Sequence, residues 1–332
     1  MYKRQAEGEE IESPSDDWDT YKSNVGVGGF AGTTASISAS ESTSTANIKF
    51  DQVTVRNMHI KGSVDAGGLL GSSGKSAPTT KPVGYTASKN IACLLEPTMN
   101  NRTSVGVQIT NSQYNNIVVE AANSAGGFVG YVDSQDNTSV ISSLNITQQN
   151  YVVGRSSKIG KADNTTTYAG GTFGYIRTQI KINTDENTDE AVMQGVTSAA
   201  GECAGGFIGK IDNKRYQIRK AVVKGSDAEP NGIISVKSRT GYAGGLVGRA
   251  NGRANGTDDS CEFQNCRADT IAINVSDLTG VESTSGGDGG IVGRIQGAEV
   301  TISDCEVQKT SITGRKSGGV VGNTAVTVKL QN

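Results

Sequence analysis

The sequence predicts an all-β protein, a right-handed parallel β-helix of about eight coils with loops inserted at its corners. Three observations predict it. A Gly-Gly-apolar-apolar-Gly element occurs eight times along the 332 residues. Glycine is abundant at 44 residues, against five prolines and one tryptophan, and Val, Ile and Thr are common where Leu is sparse. That balance favours short strands and turns over helices. Between the glycine elements, an apolar alternation of period two recurs in fixed register, the pattern of a strand with one buried side.

The eight copies are Gly28-Gly29-Phe30-Ala31-Gly32, Gly67-Gly68-Leu69-Leu70-Gly71, Gly126-Gly127-Phe128-Val129-Gly130 and Gly170-Gly171-Thr172-Phe173-Gly174. They continue with Gly205-Gly206-Phe207-Ile208-Gly209, Gly244-Gly245-Leu246-Val247-Gly248, Gly289-Gly290-Ile291-Val292-Gly293 and Gly318-Gly319-Val320-Val321-Gly322. Only Thr172 breaks the apolar rule. Self-similarity at such a period is the mark of a solenoid. The shortest unit, Gly289 to Ser317, holds three strand-like pieces, GGIVGRIQ, EVTISDCEV and TSITG. It therefore predicts three strands and three corners per coil, each coil lying about 4.8 Å above the last. Longer units are the same coil with insertions, the longest running from Ser72 to Ser104.

The alternating register reads Cys305, Val307, Ile312, Gly314 near the end and Val53, Val55, Ile60, Gly62 upstream. Cys266, Ala268 and Ile273 fit it, as do Ser112, Tyr114 and Val119, and Leu144, Ile146 and Tyr151. The glycine pair suits a corner needing positive φ, which side chains resist. The third glycine suits a place where neighbouring walls of the coil approach closely. The first apolar residue of each copy is expected inside; alternation leaves the second open.

Residues 1–22 carry Glu7, Glu9, Glu10, Glu12, Asp16, Asp17 and Asp19 and read as an acidic disordered linker; 23–332 read as a single β-solenoid repeat domain. The acidic, polar start has no signal-peptide pattern, so the chain reads as a monomeric segment of a longer one. The net charge of −2, with no basic patch, excludes nucleic acid as a partner. The absence of an apolar run of about 18 residues excludes a spanning helix. Five cysteines, Cys93, Cys203, Cys261, Cys266 and Cys305, lack metal spacing and read as buried thiols acting as small apolar residues.

The glycine element, followed by an alternating strand and a small residue or Cys after Asn or Asp, resembles the GLUG motif of bacterial surface proteins. Gly244 to Gly248 (GGLVG) and Asp304 to Gly322 (DCEVQKTSITGRKSGGVVG) carry the resemblance best, and it extends over roughly residues 24 to 330. That family includes large adhesins and the non-catalytic parts of secreted peptidases. The resemblance implies a cell-surface or cell-wall setting, an extracellular adhesin or stalk module, and a host glycan or surface protein as partner. It brings no catalytic residues.

Candidate sites are few. His59, the only histidine, stands between Met58 and Ile60, so alternation turns it outward, without an acid or nucleophile pattern beside it. Asp185, Glu186, Asp189 and Glu190, with nearby asparagines, could hold Ca²⁺ by oxygen ligation, but the spacing is not that of an EF-hand and a solvated acidic loop is the plainer reading. No other cofactor is expected. Tyr131 and Tyr175 stand at equal places in successive copies and form the best candidate for a ligand-facing ladder; an ordinary tyrosine ladder is the plainer reading. The alternative function is a carbohydrate-active β-helix, a polysaccharide lyase or glycoside hydrolase. That would need clustered carboxylates and aromatic sugar platforms on one wall, and the single Trp18 sits in the linker.

Overall fold

A computed structural model describes residues 5–7, 11–12, 26–34, 47–62, 64–73, 106–133, 143–147, 152–154, 156–161, 166–183, 189–212, 215–225, 232–236, 241–253, 261–275, 286–314 and 316–331. These residues are all-β. Every strand pairing among them is parallel and joins a strand to its equivalent one coil away, which makes the chain a parallel β-solenoid. The most regular coil runs through five strands: Gly287–Gly289 (wall 1), Val292–Gln296 (wall 2), Val300–Ser303 (wall 3), Glu306–Gln308 (wall 4) and Ser311–Thr313 (wall 5). Walls 1, 2 and 3 each have eight strands, wall 4 has five and wall 5 has nine.

Five strands replace the three expected. The pieces that read as single strands are bent by left-handed residues that are not glycine. Asp304 (φ 51) separates walls 3 and 4, and Lys309 (φ 43) separates walls 4 and 5. Their equivalents one coil earlier are Asn265 (φ 53) and Thr270 (φ 55). In the early coils Thr54–Gly62 and Gln113–Ala121 are unbroken strands that turn at Asn57 (φ 54) and Asn116 (φ 50). Asn and Asp tolerate this conformation through their short polar side chains, so a bend hides inside an apolar alternation.

The glycine pairs contradict the expected reason for them. None has positive φ; among the described residues the glycines that do are Gly154, Gly160, Gly195 and Gly297. The pairs are required by close approach instead. A Cβ on the first glycine would meet the carbonyl oxygen three residues on, as Gly205 meets Ile208 and Gly244 meets Val247, closer than 3.0 Å. A Cβ on the second would strike the carbonyl oxygen of the second glycine in the next coil: Gly68 on Gly127, Gly171 on Gly206, Gly206 on Gly245, Gly245 on Gly290. Gly319 has no coil beyond it in the structure, and a Cβ there would meet nothing within 4 Å. Walls 1 and 2 close on each other at the third glycine. A Cβ on Gly130 would lie 2.6 Å from the Ala66 carbonyl oxygen, and one on Gly248 2.7 Å from that of Ala204.

Between the pair and the third glycine, the first apolar residue hydrogen-bonds from coil to coil. The Leu69 N–H donates to Phe128 O (2.8 Å), Phe128 to Thr172 O (2.9 Å), Thr172 to Phe207 O (2.7 Å), Phe207 to Leu246 O (2.9 Å) and Leu246 to Ile291 O (2.9 Å). Both apolar residues of these elements are buried, Leu69 with Leu70, Phe207 with Ile208, Leu246 with Val247, which settles the position that alternation left open. They join one continuous core with the wall 5 residues Ile60, Val119, Ile159, Ile234 and Ile273, whose column is interrupted by the buried Ser198, and the wall 3 residues Phe50, Ile109, Ile182, Ile218, Phe263 and Ile302. Each such side chain contributes roughly 1.5–3 kcal/mol. Leu144 and Ile146 belong to wall 3, paired with Val107 and Ile109 and with Ile180 and Ile182, and not to the register of Val53 and Val55. The same alternation serves both walls, so its phase is lost across long insertions. Within the stretch read as a linker, Gln5–Glu7 and Ile11–Glu12 run as short strands beside Thr54–Gly62, with Ile11 in register with Ile60.

The stacked corners make position within the stack decisive. Gly245→Ala is expected to destabilise the chain by roughly 3 kcal/mol, as overpacking against backbone does, while the chemically identical Gly319→Ala stays within about 0.5 kcal/mol; urea unfolding of both variants measures this. Thr172 is buried, and its hydroxyl finds no hydrogen-bond partner among the described residues. Thr172→Val is therefore expected to stabilise by about 1 kcal/mol, since it removes an unmet polar group and keeps the shape, read from the same unfolding curves.

Candidate functional site

Walls 1 and 2 bring together the chemistry-bearing residues of the chain. In wall 2 the residue after the third glycine stacks as Ser72, Tyr131, Tyr175, Lys210, Arg249, Arg294 and Asn323. In wall 1 the residue before the Ala-Gly step stacks as Asp65, Ser124, Tyr168, Cys203, Tyr242 and Gly287. The two columns touch. Tyr131, Tyr168, Tyr175, Cys203 and Tyr242 form a buried cluster separate from the main core. The strands place these residues because the third glycine and the small residue facing it, usually alanine, leave room for the walls to close.

Tyr131 and Tyr175 pair in register with ring centroids 5.3 Å apart, edge to face, as the repeat predicted, and Tyr168 lies 4.8 Å from Tyr175. Both tyrosines of the predicted ladder are buried under the next residues of the column, so neither presents a ring to a ligand. The Lys210 ammonium caps them. It lies 4.8 Å from the Tyr168 centroid and 4.7 Å from that of Tyr175, a cation–π arrangement. It also stands 3.3 Å from the Tyr168 hydroxyl and 3.7 Å from the Asp212 carboxylate. Asp212 accepts from the Tyr175 hydroxyl (2.8 Å) and the Asn251 amide (2.7 Å).

Burial works to raise the Asp212 pKa, but the Lys210 charge, the two hydrogen bonds and the Arg177 charge outweigh it, and the carboxyl is held below its ordinary value. Burial first, then the Asp212 charge, pushes the Tyr175 phenol far above its ordinary range. Burial likewise pushes up the Cys203 thiol, with Glu202 adding to it. Neither group offers a nucleophile.

The strip beyond Lys210 is more open. Arg249 and Arg294 follow in the next two coils, their guanidinium carbons 5.8 and 5.1 Å from the Tyr242 ring centroid. Arg294 donates to the Tyr242 hydroxyl, and Arg249 pairs with Glu202 at 3.5 Å. The Arg249 side chain keeps 21% of its surface exposed. The Nε of each arginine is buried and finds no hydrogen-bond partner among the described residues. Half-buried guanidinium groups stacked at coil spacing on an aromatic ring can take carboxylate or sulfate groups, or sugar hydroxyls. At the next step of the inner column the run of Ala66, Ala125, Ala169, Ala204 and Ala243 gives way to Asp288. Asp288 is fully buried and accepts a hydrogen bond from Ser317; its burial raises its pKa.

Of the other predicted site residues, His59 lies half-buried 3.7 Å from Glu120, which also meets Lys161 at 3.3 Å. Asp185 and Glu186 lie outside the described residues, as do Trp18 and Cys93. Asp189 and Glu190 are described, and Glu190 pairs with Arg267 at 3.5 Å. Among the described residues no group of three or more His, Cys, Asp or Glu side chains could hold a metal ion. Sequence reading missed the joining of Lys210, Asp212, Arg249 and Arg294 into one strip. Reading the residue after each third glycine as a column would have found three of the four.

Fold and site together define the class: a parallel β-solenoid carrying an aromatic and cationic strip along one edge. No protein-family model, curated protein or solved structure matches the chain. Among the described residues no helix is long and apolar enough to cross a membrane.

The Asp212 network predicts its own pH dependence. Because the folded carboxyl lies below its ordinary value of 3.8, its stabilisation is fully present above that pH and is lost as pH falls through the folded value. Asp212→Asn is expected to cost about 2 kcal/mol at pH 7. In thermal unfolding followed from pH 7 to pH 2, the gap between variant and parent should shrink only below pH 3.8.

Proposed function

We propose that the chain is an extracellular, non-catalytic adhesin or stalk module, with the half-buried Arg249–Arg294 pair, seated on the buried Tyr242 ring, as its contact surface for an anionic glycan or surface protein. The observation that carries this reading is the in-register stacking of eight coils on a continuous core, which builds a rod about 40 Å long at about 4.8 Å per coil. Such a rod serves reach and repetition. The likeness of the glycine elements to the GLUG motif supports a bacterial cell-surface setting.

The charges favour binding over catalysis. A glycosidase acid must hold its proton near neutral pH, whereas Asp212 is held ionised and Glu202 is paired with Arg249. Asp288, whose pKa is raised, is sealed from solvent.

A panel of acidic and neutral glycans tests the reading by surface plasmon resonance. Acidic glycans are expected to bind in a salt-sensitive manner and to lose at least about tenfold in affinity in Arg249→Gln/Arg294→Gln, a loss of about 1.4 kcal/mol, without being hydrolysed. Cleavage of any glycan, or equal binding by parent and double variant, would count against it.

A further inference from the structure

Two cysteines stand one above the other. Register pairs Arg267 with Glu306 and Ala268 with Val307, so Cys266 and Cys305 hold the same place in consecutive coils. The Cys266 amide donates to the Cys305 sulfur at 3.4 Å, and the Glu306 amide donates to the Cys266 carbonyl at 2.8 Å. Both thiols lean against equivalent carbonyls, Cys266 Sγ on Gln264 O at 3.4 Å and Cys305 Sγ on Ser303 O at 3.2 Å. The side chains therefore point the same way, and the Cys305 sulfur sits against the Cys266 backbone. Adjacent parallel strands place equivalent Cα atoms about 4.8 Å apart, inside the range of about 4.4–6.8 Å that a disulfide spans.

We propose that Cys266 and Cys305 are a disulfide-forming pair that staples two consecutive coils when the chain meets an oxidising thiol–disulfide environment. Both residues carry free thiols in the structure, Cys266 buried and Cys305 part-exposed, which sets the order of events. Cys305 is the reachable sulfur. Hydrogen bonding to Cys266 lowers its pKa, while burial raises that of Cys266. The Cys305 thiolate attacks one sulfur of a small disulfide such as oxidised glutathione, forming a mixed disulfide and expelling one glutathione thiolate. The Cys266 thiol then gives up its proton and attacks the Cys305 sulfur. The internal S–S bond forms and the second glutathione thiolate leaves. Two protein thiols are oxidised by two electrons, and one external disulfide is reduced to two thiols.

The bond closes a loop across 39 positions, a whole coil with its insertion. Cross-linking a loop of that size restricts the unfolded chain. The pair differs from Cys203, which sits alone among tyrosines in wall 1.

The test is peptide mapping with thiol labelling. The full chain is equilibrated in oxidised and reduced glutathione, quenched with maleimide, denatured and mapped by mass spectrometry. A peptide linking Cys266 to Cys305 is expected in the parent, with a melting temperature about 5 °C higher than after reduction. Cys305→Ser, which keeps a small polar group, should fold, carry no linked peptide and melt at the same temperature with or without reductant. Maleimide on both Cys266 and Cys305 after oxidation would overturn the proposal. So would Cys305 linked instead to Cys203 or Cys261. Loss of glycan binding in Arg249→Gln/Arg294→Gln does not bear on this outcome, since the pair lies in another wall.

Discussion

Everything in this fold depends on backbone meeting backbone at the Gly-Gly corner. There the carbonyl of one second glycine occupies the space where the Cβ of its neighbour would be, and the amide of the following residue reaches the coil above. The two facts are one constraint. The corner can be hydrogen-bonded at its tightest point only if no side chain stands in the way. Once corners are spaced by hydrogen bonds, the strands on either side inherit their register. Ile60, Val119 and Ile159 then fall into a column although they are far apart in sequence. Local order thus supplies the long-range contacts that a single coil could not stabilise by itself.

The solenoid was legible because the corner admits only glycine, and an invariant demand leaves an invariant trace. The bends at walls 3, 4 and 5 were not, because left-handed turns accept several residues. Gln52, Asn111, Lys220, Asn265 and Asp304 all serve there. No single residue type marks the turn, so five strands read as three. Freedom of φ and absence of Cβ leave the same letter in the sequence, and only packing shows that the glycine pair serves the second. Leu144 and Ile146 fit the register of Val53 and Val55 in sequence yet lie in wall 3, because walls share one alternation and differ only in what precedes it.

The strip along walls 1 and 2 shows how a repeat generates a site by substitution at one position. Tyrosine occupies the column in two coils, lysine in the next, arginine in two more. The buried end, where Lys210 covers the rings and Asp212 answers its charge, is structural chemistry. The half-open end, where Arg249 and Arg294 flank Tyr242, has the same ingredients with surface to spare. Tyr131 and Tyr175 could be picked from sequence because they are identical and equally placed. The cations could not be joined to them until wall 1 was known to lie across from wall 2.

Native-state hydrogen exchange shows whether the corners are hydrogen-bonded from coil to coil. The amides of Leu69, Phe128, Thr172, Phe207 and Leu246 should exchange among the slowest in the chain, as slowly as the mid-strand amides of wall 3. Fast exchange at these five amides, with wall 3 still protected, would mean that the glycine corners are open turns, and the stacking that orders the rest would have to arise elsewhere.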